Sequence, residues 1–376
     1  MLRTSELDFA LPPELIATTP AEPRDAARLL VVSRSDATLL EHRTVRDLPR
    51  YLRRSDLMVV NNTRVLPARF VGRRVGTGGK LPGLYLGPAQ SPGTAESRRW
   101  QVLIKGGHLR AGVRVLLGEN AELELLDRST DEPGAWIAAL HGPTPDESDQ
   151  AVLMRVGMTP LPPYILAARK ARGVDVPDAF DRERYQTTFA EREAASHGGS
   201  GSVAAPTAGL HLTPELLHQL EQQGVERAEV TLHVGTGTFK PVETEFVEQH
   251  PIHAEHCAMP VGTTDAIQKT RAGSGRVFAV GTTAARVIET YGNLAVAGQP
   301  LPESLDTRIF ITPGYRWQWV DGMLTNFHLP QSTLLAMVGS LFDATGGLAH
   351  VKEVYATAIR ERYRFFSYGD AMLILP

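Results

Sequence analysis

The sequence predicts an α/β fold: a mixed-sheet α/β domain assembled from both ends of the chain, residues 1–64 and 156–376, with a β-barrel-like domain inserted at 65–155. Three observations carry this. Strand-length apolar runs at both ends, Arg28–Val32, Asp56–Val60 and Arg276–Val280, run into polar or glycine turns, and helical apolar spacing recurs beyond Arg155. Between Val65 and Arg155 only short segments occur, WQVLI, VRVLL, AELELL and AWIAAL, separated by glycine, proline and charge, as in a small barrel or sandwich. At 376 residues the chain is long enough for two domains.

In chain order, RLLVV and DLMVV are the first strands, the second ending at Asn61-Asn62-Thr63-Arg64, where paired asparagines favour a turn or can read a polar ligand. Trp100, Val102 and Ile104 share one strand face, as do Val113, Val115 and Leu117. The Gly-, Pro- and Ser-rich stretch Gly76–Arg99 reads as a long hairpin loop. Thr213-Pro214 opens a helix whose apolar face is Leu216, Leu217 and Leu220 and which Gly224 ends. Val230, Leu232 and Val234 then alternate with Thr231 and His233 along a strand that runs into Gly235-Thr236-Gly237-Thr238. RVFAVGTTAARVIETYG predicts a strand, a turn capped by Thr282 and Thr283, and a helix ending at Gly292. IFITPGY predicts another strand and turn, and TNFHLPQSTLL leads into a helix near Ser332. Val351, Val354, Tyr355, Ala358 and Ile359 mark an amphipathic helix before the turn RFFSYGD and a final apolar strand.

Composition bounds the function. No apolar run approaches the roughly 18 residues of a membrane span, and the N-terminus has no signal-peptide pattern, so a cytoplasmic protein without membrane contact is expected. Cys257 is the only cysteine, which excludes an internal disulfide and multi-cysteine metal sites. No G-x-G-x-x-G follows a strand, and Gly76-Thr77-Gly78-Gly79-Lys80 lacks the Walker spacing, so neither dinucleotide nor triphosphate binding is predicted. The net charge of -3 conceals segregation: Arg43–Lys80 carries +8, and Glu119–Asp149 carries -8. Either tract can be a solvated face, and the basic one suits RNA phosphates, with Arg46, Arg53, Arg69 and Arg73 as candidate contacts.

The chemistry concentrates in Gly201–His256. Seven of the twelve histidines fall between His197 and His256, among glycines and small hydroxyl residues. His211 sits just before a helix N-terminus, and strand alternation turns His233 from the core face towards a glycine turn that lets a ligand approach backbone N–H groups. Thr282 and Thr283 open a helix with Arg286 in its first turn, a place where backbone donors favour an anion, although capping alone explains threonines there.

GSVAAPTAGLHLT, VTLHVGTGTFKPV and HPIHAEH closely resemble the S-adenosylmethionine:tRNA ribosyltransferase-isomerase family of queuosine biosynthesis. So do PRDAARLLV, NNTRVLPAR, YQTTFA, AVGTTAARVIE, IFITPGY, TNFHLPQSTLL and YRFFSYGDAML, spread over nearly the whole chain. The sequence departs from the family pattern at Ala27, Leu212 and Ala284 and in a Gly/Ser-rich insertion near 194–199. The resemblance implies transfer and isomerisation of the ribosyl group of S-adenosylmethionine onto 7-aminomethyl-7-deazaguanine at the tRNA wobble position. Epoxyqueuosine forms; adenine and methionine leave. It implies S-adenosylmethionine as a co-substrate, no permanently bound cofactor, and a monomer. A base must take a proton from the carbon beside the sulfonium and a donor must assist adenine; His211, His233, His253 and Glu255 are the catalytic candidates. Substrate contacts are expected from Asn61, Asn62, Arg64, Thr207, Gly235, Gly237, Thr238, Thr282, Thr283 and Arg286. Further along the chain, Asn326, His328, Arg364, Tyr368 and Asp370 complete that set, the basic and aromatic residues of the RFFSYGD turn suiting phosphate contact and base stacking or else the core.

Two other readings use the same residues. His250, His253 and His256 suggest a metal-dependent hydrolase, but their spacing spreads three ligands over a wide arc of a helix and Pro251 interrupts one, so no metal is expected. A non-catalytic RNA-binding protein would use the +8 segment alone and leave the histidine and glycine-threonine motifs without a task.

Overall fold

The structure is a computed structural model that describes residues 1–89, 98–118, 120–130, 132–144, 146–190, 201–235 and 242–376. The strands are β1 Arg28–Ser33, β2 Leu40–Thr44, β3 Leu57–Asn61, β4 Arg69–Arg74, β5 Lys80–Pro88, β6 Arg99–Ile104, β7 Arg114–Gly118 and β8 Ala121–Arg128. They continue as β9 Trp136–His141, β10 Glu226–Leu232, β11 Glu255–Ala258, β12 Val277–Val280, β13 Ser304–Thr307, β14 Gly322–Asn326 and β15 Ala371–Leu375. The helices are α1 Asp149–Val156, α2 Pro163–Arg172, α3 Asp178–Arg184, α4 Pro214–Gln222, α5 Val261–Ala272, α6 Thr282–Val296, α7 Thr333–Ser340 and α8 Gly347–Arg360.

Strands from both chain ends form one nine-stranded mixed sheet, ordered β13-β11-β10-β3-β12-β14-β15-β1-β2, and β4 to β9 close into a separate antiparallel barrel. Alternation along the strands splits the core of the sheet domain in two. Val59, Val277, Ala279 and Met323 face α6, α7 and α8 on one side. Met58, Val60, Phe278 and Leu324 face α4 and the turn carrying Val45 and Leu48 on the other. A one-residue slip would exchange the two sets, which fixes the register. The barrel has its own core, including Phe70, Trp100, Leu123 and Trp136, and α1 joins it through Val152 and Leu153.

Several sequence expectations need correction. Lys80–Pro88 is a barrel strand paired with β4 and β6, not part of a loop. Its Gly83 serves close packing, because a Cβ there would lie 2.3 Å from the Phe70 ring. The helix predicted to end at Gly292 continues to Val296; Gly292 is a packing glycine within it, where a Cβ would lie 3.0 Å from Gln318 and 3.2 Å from the Trp319 indole. The strand expected at IFITPGY lies earlier, at Ser304–Thr307, where the edge of β11 is available for pairing. No helix among the described residues is long and apolar enough to cross a membrane.

Candidate active site

β3, β10, β12 and β14 are mutually parallel, so their C-terminal ends emerge at one edge of the sheet. β15 is antiparallel to β14, and Asn326 pairs with Ala371, which brings the preceding turn Phe366–Asp370 to the same edge. Ligands of open α/β sheets bind beyond such carboxyl ends. Here five separate sequence motifs converge there.

One cavity at this edge is lined by Thr207 and Ala208, Gly281 to Thr283, Thr325 to Leu329, and Tyr164 and Phe366. No charged side chain lines it among the described residues. Gly281, with φ of 89°, is the N-cap of α6 and makes no side-chain cap bond, which corrects the expectation that Thr282 and Thr283 cap the helix. They are its first two helical residues, and the buried Thr283 Oγ1 has no hydrogen-bond partner among the described residues. Asn326 Nδ2 donates to the Phe366 carbonyl at 3.1 Å and lies 3.2 Å from His211 Nε2. A carbonyl only accepts, so this contact fixes the amide orientation, and Asn326 Oδ1 is left buried without a partner among the described residues. His211 Nε2 then accepts, which places its proton on Nδ1. Burial pushes the His211 pKa down to about 4, keeping the ring neutral near pH 7. His328 is likewise buried and pushed down to about 4; its Nε2 lies 2.9 Å from Thr325 Oγ1. Phe366 adopts a left-handed φ of 73°, which presents its carbonyl to Asn326; such strain in a bulky residue gathers at functional sites.

A second cavity adjoins the first, sharing Leu334 and continuing from Val234 to Gly235. It is charged, with Glu132, Glu255, Arg286, His250 and His253 in its wall. Glu255 forms an ion pair with Arg286 and accepts the Gly235 N–H at 3.2 Å, so its carboxylate orders the strand end. His253 lies 3.7 Å from Glu132 of the barrel, bringing the barrel to the edge of this cavity. His233 lines neither cavity; its Nδ1 is 3.0 Å from Thr63 Oγ1, and its ring stacks on His256 at 6.4 Å.

Other expected site residues are placed elsewhere. Asn61 accepts the N–H groups of Thr63 and Leu232 and donates to the Leu232 carbonyl, tying β3 to β10. Asn62 is engaged by Glu229 and Thr231. Arg364 and Asp370 clamp the turn before β15, and the Tyr368 hydroxyl donates to Asp181 at 2.9 Å. Tyr368 and Phe365 are buried, which removes the base-stacking role for them. Arg64 lies apart, in a groove with Arg24 and Arg182. Gly237 and Thr238 fall outside the described residues. His250, His253 and His256 do not converge: His253 meets Glu132 and His256 meets Asp306. No group of three or more His, Cys, Asp or Glu side chains among the described residues could hold a metal ion. Sequence reasoning missed Tyr164, Phe366 and Ser367; the last two stand inside a quoted motif, while Tyr164 on α2 carried no signal.

A family model described as queuosine biosynthesis protein matches residues 4–374. The chain belongs to that family. Within it, a curated protein of Synechococcus elongatus named S-adenosylmethionine:tRNA ribosyltransferase-isomerase is 45% identical, the alignment covering 98% of this chain and 95% of the relative. One of the same name from Moorella thermoacetica is 43% identical over 100% of both. The crystal structure of S-adenosylmethionine tRNA ribosyltransferase from Thermotoga maritima is 33% identical, with a TM-score of 0.51 over 99% of this chain and 100% of that one. Family membership therefore extends over the sheet domain and the barrel together.

Proposed function

We propose that this protein transfers the ribosyl group of S-adenosylmethionine to 7-aminomethyl-7-deazaguanine at the wobble position of tRNA, isomerising it to give epoxyqueuosine and releasing adenine and methionine. One observation carries the reading: in a chain 45% identical to a relative named for this activity, the motifs by which the sequence resembles the family converge at one sheet edge, around adjoining neutral and charged cavities. A sulfonium substrate has the matching halves, an uncharged base and a zwitterionic amino acid. In the reaction the carbon beside the sulfonium gives up a proton, the tRNA amine bonds to the ribosyl unit, and the bonds to adenine and to the methionine sulfur break. His233, its ring held by Thr63 and its chain running on into the cavity residues Val234 and Gly235, is the acid-base group we assign to this need, although it lines neither cavity. The Glu255–Arg286 pair holds the Gly235 backbone, two residues on from it. The enzyme works as a cytoplasmic monomer that retains no cofactor between turnovers.

Incubation with S-adenosylmethionine and precursor tRNA tests this directly. Equimolar adenine and methionine, with epoxyqueuosine in the tRNA digest, are expected. Methyl transfer to the tRNA, or no consumption of S-adenosylmethionine, would overturn the reading.

A further inference from the structure

We infer that the uncharged cavity is the adenine subsite, and that Asn326 Oδ1 accepts a hydrogen bond from the exocyclic amine of the base. This rests on the proposed reaction and orients its co-substrate within the site. The argument begins with unmet hydrogen bonds. Asn326 is 3% exposed and Thr283 9%, yet Asn326 Oδ1 and Thr283 Oγ1 have no partner among the described residues. A buried polar atom without a partner is costly, so such atoms on residues that line a cavity point to a ligand.

Topology brings the two together. β12 and β14 are adjacent and parallel with Val280 opposite Leu324, so Thr282–Thr283 and Asn326 leave neighbouring strand ends side by side. The amide orientation is dictated by the Phe366 carbonyl, which leaves an acceptor to be satisfied. The ligand must therefore bring a donor. Thr283 can donate or accept.

The remaining wall decides what kind of donor. It is uncharged and mixes small hydroxyl residues, such as Thr207 and Ser332, with the rings of Tyr164, Phe327 and Phe366, and an ammonium ion there would have no counter-charge. A flat neutral heterocycle with an amino group satisfies both requirements, with the rings supplying apolar contact and Asn326 the polar reading. The charged cavity beside it, with Arg286, Glu255 and Glu132, suits the amino-acid end of the same molecule. The opposite placement would put a carboxylate against the Asn326 oxygen.

The test compares S-adenosylmethionine with S-inosylmethionine, in which an oxo group replaces the amine, as substrates with saturating precursor tRNA. The kcat/KM ratio of the two cancels any inactive fraction. The wild type is expected to favour the amino compound by at least about 10-fold, because the oxo analogue leaves Oδ1 unpaired. In Asn326→Ala the ratio should collapse to within about 3-fold of unity. Thr283→Val, which removes a hydroxyl without a partner among the described residues, should lower kcat/KM for S-adenosylmethionine at unchanged Tm. Equal use of both substrates by the wild type, an unchanged ratio in Asn326→Ala, or an unaffected Thr283→Val enzyme would each overturn the subsite while the reaction stands. No consumption of S-adenosylmethionine by the wild type would overturn the reaction and the subsite with it.

Discussion

His211 and His328 are held neutral by burial, each with a pKa pushed down to about 4, whereas an unfolded histidine titrates near 6.5. Between these values the unfolded chain binds more protons, so stability is complete above about pH 6.5 and is lost as pH falls towards 4. Each ring contributes on the order of 3 kcal/mol across that window, at about 1.4 kcal/mol per pH unit. Denaturant unfolding between pH 7.5 and 4.5 should show this loss, with a smaller slope in His328→Gln; a flat profile would contradict the neutral burial. His233 differs, being half-buried against Thr63 and His256. His233→Ala should lower turnover by about 100-fold or more, the scale of a lost acid-base group, at nearly unchanged Tm. A reduced Tm with undiminished turnover of the folded fraction would assign it a structural role.

At the scale of elements, the Arg169–Asp181 pair joins α2 to α3 through two hydrogen bonds of 2.6 and 2.8 Å, and Tyr368 adds a third contact from the turn before β15. Both charges are buried. Removing one partner strands the other, so Asp181→Asn is expected to cost about 3–5 kcal/mol in urea unfolding. The double variant Arg169→Met/Asp181→Leu should cost less than Asp181→Asn, because no charge is left unpaired. A larger loss in the double variant would show that the pair contributes net attraction beyond its desolvation. The same contact explains why Tyr368 could be mistaken for a ligand contact: a tyrosine in a glycine-aspartate turn looks the same in sequence whether it faces tRNA or α3.

The whole molecule redistributes what the chain keeps together. Arg53 meets Asp56 and the Ser274 carbonyl at the N-terminal end of β3, opposite the cavities, while the Arg69 side chain donates to Thr159. Arg46 pairs with Asp25, and Arg73 is exposed on the barrel. The +8 segment is therefore several surfaces. If tRNA lies on the barrel side, Arg73→Ala should reduce the salt slope of binding by about 1 while Arg53→Ala leaves it unchanged; the reverse would put the RNA on the other edge. The inserted unit should also stand alone: a fragment of residues 65–155 contains the closed barrel, all of α1 but its last residue, and most of their shared core. Circular dichroism should show β structure with cooperative melting, and a helical or non-cooperative spectrum would contradict an independent domain.

The sequence by itself determined the fold class, the strands at Arg28 and Leu57, and the change of pattern that marks the barrel, because alternation and turn residues are local; the strand read over Val230–Val234 lies earlier, at Glu226–Leu232. It also determined the family, since the motifs are contiguous words. Which residues face the cavity was decided only by tertiary structure. Asn61 and Asn326 both end strands of the same sheet, yet Asn61 is consumed by β10 and Asn326 keeps an unmet oxygen. That difference depends on which strand lies alongside and on which carbonyl Phe366 presents from 40 residues away. Nor could spacing place Tyr164, which reaches the cavity from α2 because α2 packs against the turn carrying Phe366, with ring centres 4.6 Å apart. A pairing partner is a property of the assembled sheet, and hydrogen-bond satisfaction can be judged only once every partner is in place.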